Sequence, residues 1–495
     1  MEGIGALFQL HVIIPWILGM IFGVFVGATP GLTATMAVAL IVPVSYQFDD
    51  PTSALAMIIG VSFTAIFAGD IPATHLRIPG TPASAAATLD GHELAKKGRA
   101  EHALRLDLYC SAFGGLIGVL ALILIAPQLA KFALKFSNYE YFWLAVTGLC
   151  ISAAVSQTGV RLGLIAVCLG LLLSTIGVDQ QGAERFTFGS LDLYEGIQFI
   201  PAMIGLFGIS EVLRYVMRKP EDRGGSIVAS KKESPMAALA AIWKHKWTAV
   251  KSSVVGTIIG ALPGAGADIA AWGAYGLAQK TSKNGRRFGT GVEEGVIAPT
   301  SANNAAVGGA WIPALVFGVP GDAVTAIVLG AFIVYDIKPG PMIFEQSGEQ
   351  VRSIFQIAFL TQFLLLIAGY LGIKVFGLML KIRRSLVMIA VTVFSVVGSY
   401  AMRSSLFDVW VMLAFGFLGL FLEAKKIPLA PLILGLILGP MVEENLRNGL
   451  VKEAGSFVPF FTRPICVALI LMLVAAFGGR PLMKWVSGKR QTARK

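Results

Sequence analysis

Long uncharged apolar runs dominate the chain, separated by short stretches in which Lys and Arg collect. A helix needs about 20 apolar residues to cross a hydrocarbon core. The pattern predicts such spans at 107–130, 141–157, 160–178, 197–216, 353–380, 385–402, 405–422, 427–442 and 464–481. Two further regions, 12–90 and 252–334, are also apolar but rich in Gly, Pro, Ser, Thr and Asn, and they carry Asp70, Arg77, Asp268 and Asp322. These do not read as lipid-facing helices. They read as broken or re-entrant segments, because irregular backbone at membrane depth is tolerated only inside protein or beside a watery cavity.

The two unusual regions resemble each other. Gly23-x-x-x-Gly27-Ala28-x-Pro30-Gly31 matches Gly256-x-x-x-Gly260-Ala261-x-Pro263-Gly264. Further on, Ile71-Pro72-Ala73 and Pro79-Gly80 match Ile312-Pro313-Ala314 and Pro320-Gly321. Gly27 to Gly260 is 233 positions and Gly80 to Gly321 is 241, so the copies differ by a short insertion. One GxxxG is a weak signal, but two ordered matches indicate a duplicated fold. Repeat 1 is read as 1–225, with a hairpin at 12–46, a broken segment at 54–90 and spans over 107–216. A cytoplasmic linker follows at 226–251. Repeat 2 is 252–495, with a hairpin at 252–278, a broken segment at 292–334, spans over 353–481 and a cytoplasmic tail.

Composition agrees with this class. Of 495 residues, 55% are hydrophobic and 14% charged, against about 25% charged in soluble domains. That excludes a soluble enzyme, a nucleic-acid binder and a secreted disulfide scaffold. The net charge of +11 reads as the positive-inside pattern. The four cysteines lie in apolar segments without a CxxC spacing, so they read as small buried thiols. The N-terminus lacks a basic n-region, and no cleaved signal is expected.

Charge flanks set the expected orientation. The second Pro-Gly hairpin lies between Lys244, Lys246 and Lys251 and Lys280, Lys283, Arg286 and Arg287, so both its ends should face the cytoplasm. The first is flanked by residues 1–11, without Lys or Arg, and by Asp49 and Asp50, so both ends should face outside. Residues 91–105 are basic, whereas their counterpart 335–350 is acidic. The expected fold is an all-α polytopic membrane protein of two inverted-topology repeats with re-entrant or broken helices at the Pro-Gly motifs. That arrangement is a transporter signature. The N-terminus is expected to be periplasmic and the C-terminus cytoplasmic.

Candidate chemistry gathers at the breaks. Freed helix N-termini offer N–H groups and positive dipole ends to an anion. The candidate solute site comprises Thr29, Pro30, Gly31, Arg77, Pro79, Gly80, Thr81 and Ser84 from the first half. Pro263, Gly264, Asn303, Asn304, Pro320, Gly321 and Thr325 complete it from the second. Arg77 suits a carboxylate clamp, with an internal Arg77–Asp70 pair or snorkelling to the interface as the alternatives. Asp70, Asp268, Asn303 and Asp322 are candidate ion-coupling residues, for Na⁺ or H⁺. Asp268 and Asp322 have an alternative role as caps of half-helices. His75 reads as a hydrogen-bonded structural histidine. No cofactor, nor any metal other than Na⁺, is expected. His92-Glu93 and His102 do not form HExxH, and there is no GxSxG or Walker A motif, so no enzyme is expected.

These residues resemble the large membrane subunit of the bacterial tripartite tricarboxylate transporters. The resemblance runs over nearly the whole length. It includes Gly-Ala-x-Pro-Gly at 27–31, Gly260-Ala-Leu-Pro-Gly-Ala-Gly-Ala267, Ile78-Pro-Gly80 through Leu89-Asp-Gly91, and Arg185-Phe-Thr-Phe188. Ser301-Ala-Asn-Asn-Ala305, Gly318-Val-Pro-Gly321, Pro339-Gly-Pro341, Pro431-Leu-Ile-Leu-Gly435 and Glu444-Asn-Leu-Arg447 complete it. The resemblance implies a secondary transporter for carboxylates in the bacterial inner membrane, with Na⁺ coupling the family expectation. It also implies two partners, a small four-helix membrane subunit and a periplasmic solute-binding protein. Family members often carry Glu at the position of Thr300, Ser or Thr at Asp268 and Asp322, Asn at Arg77, and a basic residue near Asp70. These departures cluster at the expected site and point to a solute other than citrate or to a rearranged charge network. An uncoupled organic-anion channel and a non-transporting scaffold subunit are the competing classes.

Overall fold

The computed structural model describes residues 2–156, 158–179, 181–217, 233–475 and 477. Residues 226–232 of the expected linker and the basic C-terminal tail lie outside them. The chain is helical almost throughout. Helices α1 (Glu2–Leu7), α2 (Leu10–Ala28), α3 (Ala34–Ser45), α4 (Pro51–Ala68), α5 (Asp70–Leu76), α6 (Ala85–Lys96) and α7 (Ala100–Ala133) come first. Helices α8 (Asn138–Val155) and α9 (Val160–Ser174) follow, then a short β-ribbon pairing Gly177–Val178 with Glu184–Arg185. The next are α10 (Phe199–Met203) and α11 (Ser210–Met217), joined by a π-helical stretch at Ile204–Ile209. The second half continues with α12 (Pro235–Lys244), α13 (Lys246–Gly260), α14 (Gly266–Thr281), α15 (Glu294–Phe317), α16 (Ala323–Val334) and α17 (Ile343–Gln346). It ends with α18 (Gly348–Met379), α19 (Arg384–Ala401), α20 (Leu406–Ala424), α21 (Leu429–Lys452) and α22 (Val458–Thr462).

Among the described residues, seven helices are long and apolar enough to cross a membrane. The expected spans fall on α7 to α11, α18 to α21 and a last apolar helix, Pro464–Ala475. Helix α21 runs on to Lys452 rather than stopping at 442. Beyond Pro440 it is amphipathic, and an i,i+4 ion pair of Arg447 with Glu443 at 2.8 Å supports the extension.

The chain divides into two compact units. Residues 1–131 and 198–421 form the first, and 132–197 and 422–495 the second. Each half of the sequence contributes to both units. The first unit is built on two helices with little or no exposed surface. The α4–α5 segment is buried from Ser53 to His75, and every residue of α15 is buried. Close approach makes this burial possible. A Cβ on Gly23 or Gly27 of α2 would collide with the backbone of α4 at Val61 and Ala65. A Cβ on Gly256 or Gly260 of α13 would collide with α15 at Ala302 and Ala306. Val61 to Ala302 and Ala65 to Ala306 are each 241 positions, so the helix contacts repeat at the spacing of the sequence motifs.

Two polar faces frame the first unit. On one, His11 lies 3.7 Å from Asp50, and Tyr335 donates to the carbonyl of Ser45. On the other, Arg99 pairs with Glu233 at 2.8 Å and with Glu293 at 3.2 Å. There Lys97 also donates to the Thr290 carbonyl, and His245 lies 3.3 Å from Glu294.

In the second unit, Gly170 of α9 meets Gly435 of α21 without room for a side chain. Tyr139, Phe460 and Cys466 form a small core, with Trp143 donating to the Phe460 carbonyl at 2.7 Å. Arg185 holds Glu443 with paired bonds of 2.7 and 3.0 Å, and Arg447 reaches Asp179 at 3.0 Å. Two motifs distant in sequence, Arg185–Phe188 and Glu444–Arg447, thus belong to one ion-paired cluster beside a cavity of 270 Å³.

Candidate functional site

The first break is the turn Thr29-Pro30-Gly31 between α2 and α3. Proline carries no N–H, and Gly31 takes φ 92°, a left-handed conformation that glycine adopts freely. Thr33 then caps α3 by accepting from the Met36 N–H at 3.1 Å. The same turn recurs at Pro263-Gly264, where Gly264 has φ 78°.

Each hairpin turn is met by a second break from its own half. Gly80 donates its N–H to the Gly69 carbonyl at 3.0 Å and packs against the Gly27 carbonyl with no space for a Cβ. In the second half, Gly264 donates to the Gly321 carbonyl at 2.8 Å. Gly321 likewise packs against the Gly260 carbonyl and Ala310. The residues after these breaks start new helices with reciprocal caps. Thr81 N–H donates to Ser84 Oγ at 3.1 Å, and Asp322 N–H donates to Thr325 Oγ1 at 3.0 Å. Asp322 Oδ1 accepts in return from the Thr325 N–H at 2.8 Å and from its hydroxyl at 2.7 Å. Of the two roles weighed for Asp322, capping is the one its bonds show.

The two halves differ in charge at these caps. Asp322 stands where the first half has Thr81, and Asp268 stands where it has Thr35. Asp268 lies in the first turn of α14, which packs on Asp322 through Gly266. The helix starts of the second half therefore already carry two carboxylates near their positive dipole ends. The equivalent positions of the first half, Thr35 and Thr81, carry hydroxyls.

Arg77 ends α5 in the left-handed conformation, φ 58°, and is exposed. It does not pair with Asp70, which is 1% exposed and points inward. A cavity of 190 Å³ lies beside it, lined by Thr29, Pro30, Leu76 and Ile78 together with Met379 and Val387. His75 stacks on Phe376 with ring centroids 5.6 Å apart.

Asn303 lies at the centre of α15. Its amide donates to Asp70 Oδ2 at 3.2 Å, and its own oxygen accepts from the Asn304 N–H at 2.7 Å. Asn304 is fully buried, and neither end of its amide has a partner. Native buried amides are almost always satisfied, so such a group marks a place for a solute, ion or water.

Sequence reasoning missed Asp107. It is the first residue of the span expected over 107–130, but it lies inside α7, 1% exposed, beside Asp70. The signal was present as a stripe of small and polar residues, Asp107, Cys110, Ser111, Gly114, Gly115 and Gly118. That spacing is one helix face. It packs on α15, where Gly114 and Gly118 leave no room for a Cβ.

Comparison with known proteins agrees with this architecture. The model of the tripartite tricarboxylate transporter TctA family matches residues 13–434. An uncharacterised 52.8 kDa protein of the TAR-I ttuC′ 3′ region of Agrobacterium vitis is 34% identical over 465 residues, covering 92% of this chain and 90% of that protein. A second uncharacterised protein, of the TAR-II ttuC′ 3′ region of the same organism, is 35% identical over 215 residues, covering 43% of this chain and 89% of that protein. No solved structure matches. With its buried broken helices and, among the described residues, seven helices long and apolar enough to cross a membrane, the chain is a multi-pass membrane protein and belongs to the tripartite tricarboxylate transporter TctA family.

Proposed function

We propose that the chain is the permease subunit of a secondary active transporter importing an organic carboxylate across the bacterial inner membrane. A periplasmic solute-binding protein delivers the solute, and a small four-helix membrane subunit completes the complex. The carboxylate binds at the first-half break, around Thr29-Pro30-Gly31, Pro79-Gly80-Thr81 and Ser84, with Arg77 at its margin. The observation that carries this reading is the charge difference between the paired breaks. An anion favours the uncharged helix starts of the first half over those already occupied by Asp268 and Asp322.

The two halves are read as inverted repeats with the N-terminus periplasmic. The stretches assigned outside, near His11, Asp50 and Tyr335, gather on one face of the first unit. Those assigned inside, near Arg99, Glu233 and Glu293, gather on the other. This clustering supports the orientation.

Uptake into proteoliposomes holding the chain and its small subunit tests the reading. Labelled di- and tricarboxylates are supplied with and without the binding protein, under a Na⁺ gradient, a proton gradient or neither. Accumulation requiring the binding protein and one of the gradients is expected. Downhill flux indifferent to both would replace the transporter with a channel. Binding of the partners without any flux would leave only a scaffold.

A further inference from the structure

Asp70 and Asp107 sit together in the core of the first unit, each 1% exposed. Asp70 opens α5, and Asp107 lies on α7. Their carboxyl groups lie close enough to interact directly. Two bare carboxylates buried side by side repel each other, and a positive ion between or upon them relieves that repulsion. The remaining bonds are neutral. Asp70 Oδ2 accepts from Asn303 at 3.2 Å, and Asp107 Oδ1 accepts from Ser111 Oγ at 3.1 Å.

One oxygen of each acid, Asp70 Oδ1 and Asp107 Oδ2, has no partner. Neither does the Asn304 amide, fully buried and adjacent to Asn303. The groups facing the pair are Asn303 from α15 and Ser111 and Cys110 from α7. Burying uncompensated carboxylates is strongly unfavourable even after relaxation.

We propose that the Asp70–Asp107 pair is the binding site of one monovalent cation, and that this cation is the coupling ion of transport. The inference rests on the transporter reading above. The two carboxyls supply the charge, and the unpartnered Asn304 amide, next to the Asn303 that bonds Asp70, offers a neutral oxygen for an ion larger than a proton. The link to the solute is short. Asp70 follows Gly69, whose carbonyl receives the Gly80 N–H of the first break. Filling or emptying the pair thus acts on the peptide that holds the proposed solute site together.

The test uses the purified full-length chain with its small subunit. Melting temperature is followed at constant ionic strength, with NaCl exchanged for choline chloride, over pH 5.5–8.5. Na⁺-dependent stabilisation at fixed pH identifies the ion as sodium. Stabilisation by acid without a sodium effect identifies it as a proton. In either case Asp107→Asn is expected to lose the response and to reduce gradient-driven accumulation at least ten-fold.

Asp70→Asn serves as the second variant if Asp107→Asn does not fold. A wild-type protein indifferent to both cations overturns the site, as does an Asp107→Asn protein with an unchanged response. Wild type that transports no carboxylate would instead overturn the transporter reading. A cation response lost in the variant would still locate the ion.

Discussion

Tyr275 of α14 donates its phenolic hydroxyl to Asp90 of α6 at 2.9 Å. The same carboxylate accepts the N–H groups of Gly289 at 2.9 Å, Gly291 at 2.7 Å and Val292 at 2.9 Å, and Asp90 is fully buried. One side chain from the first half therefore organises the loop that enters α15 in the second. Asp90→Ala would strand these donors. A loss of about 3 kcal/mol is expected, since each buried unsatisfied group costs roughly 1–3 kcal/mol. A fall in the melting temperature of the detergent-solubilised protein checks it, with Asp90→Asn intermediate.

The glycines of the breaks allow a clean steric test. Gly80→Ala and Gly321→Ala each place a methyl group against a carbonyl, that of Gly27 or Gly260. Both variants are expected to lose transport, with folded yield reduced. Gly276→Ala is the control, because nothing lies within 4 Å of its would-be Cβ and alanine is the better helix former. Equal uptake by Gly80→Ala and Gly276→Ala would contradict the packing described.

Arg77 is a conformational as well as a chemical position. At φ 58° it occupies the left-handed region, which asparagine adopts several-fold more readily than most residues. Arg77→Asn should therefore fold at least as well as the parent and isolate the effect of charge. A competition panel of mono-, di- and tricarboxylates should show altered preference and at least ten-fold weaker affinity for the native solute. An unchanged profile would remove Arg77 from the site.

Glu293 predicts a pH dependence. The hydrogen bond from His102 at 2.9 Å, seconded by Arg99, holds its carboxyl near 2, below the ordinary value of 4.5. A depressed folded value means that its contribution is complete above 4.5 and is lost as the pH falls toward 2. Glu293→Gln should lower stability at pH 7 and flatten the acid limb of a melting-temperature profile in that window. A parallel profile for variant and parent would refute the assignment.

In the second unit, Arg185 and Glu443 form a paired, charge-assisted contact. Removing either partner should cost about 2 kcal/mol. The double variant should cost little more than each single one. Additive losses in a double-mutant cycle would show that the contact is not a coupled unit.

Much of the first unit could be read from spacing. The two Pro-Gly pairs, their offsets and the glycine ridges of α2 and α13 reappear as equivalent contacts, because each depends on a glycine with no substitute. Asp322 was ambiguous because an acid near a helix start serves equally as cap and as ligand until its bonds are seen. Asp107 was missed because hydropathy averages over a window, and one acid among leucines barely moves it. The division into two units could not be read either. It joins 132–197 to 422–495, and such pairing follows from shape rather than from neighbouring sequence.

Helix α15 has no exposed residue from Glu294 to Phe317. A segment that never meets lipid is free of the demand for oily side chains, which is how Thr300, Ser301, Asn303 and Asn304 can share one helix. The same freedom makes it a poor candidate for membrane entry on its own. It needs a protein surface to receive it, and the glycine ridges of α13 and α7 are that surface.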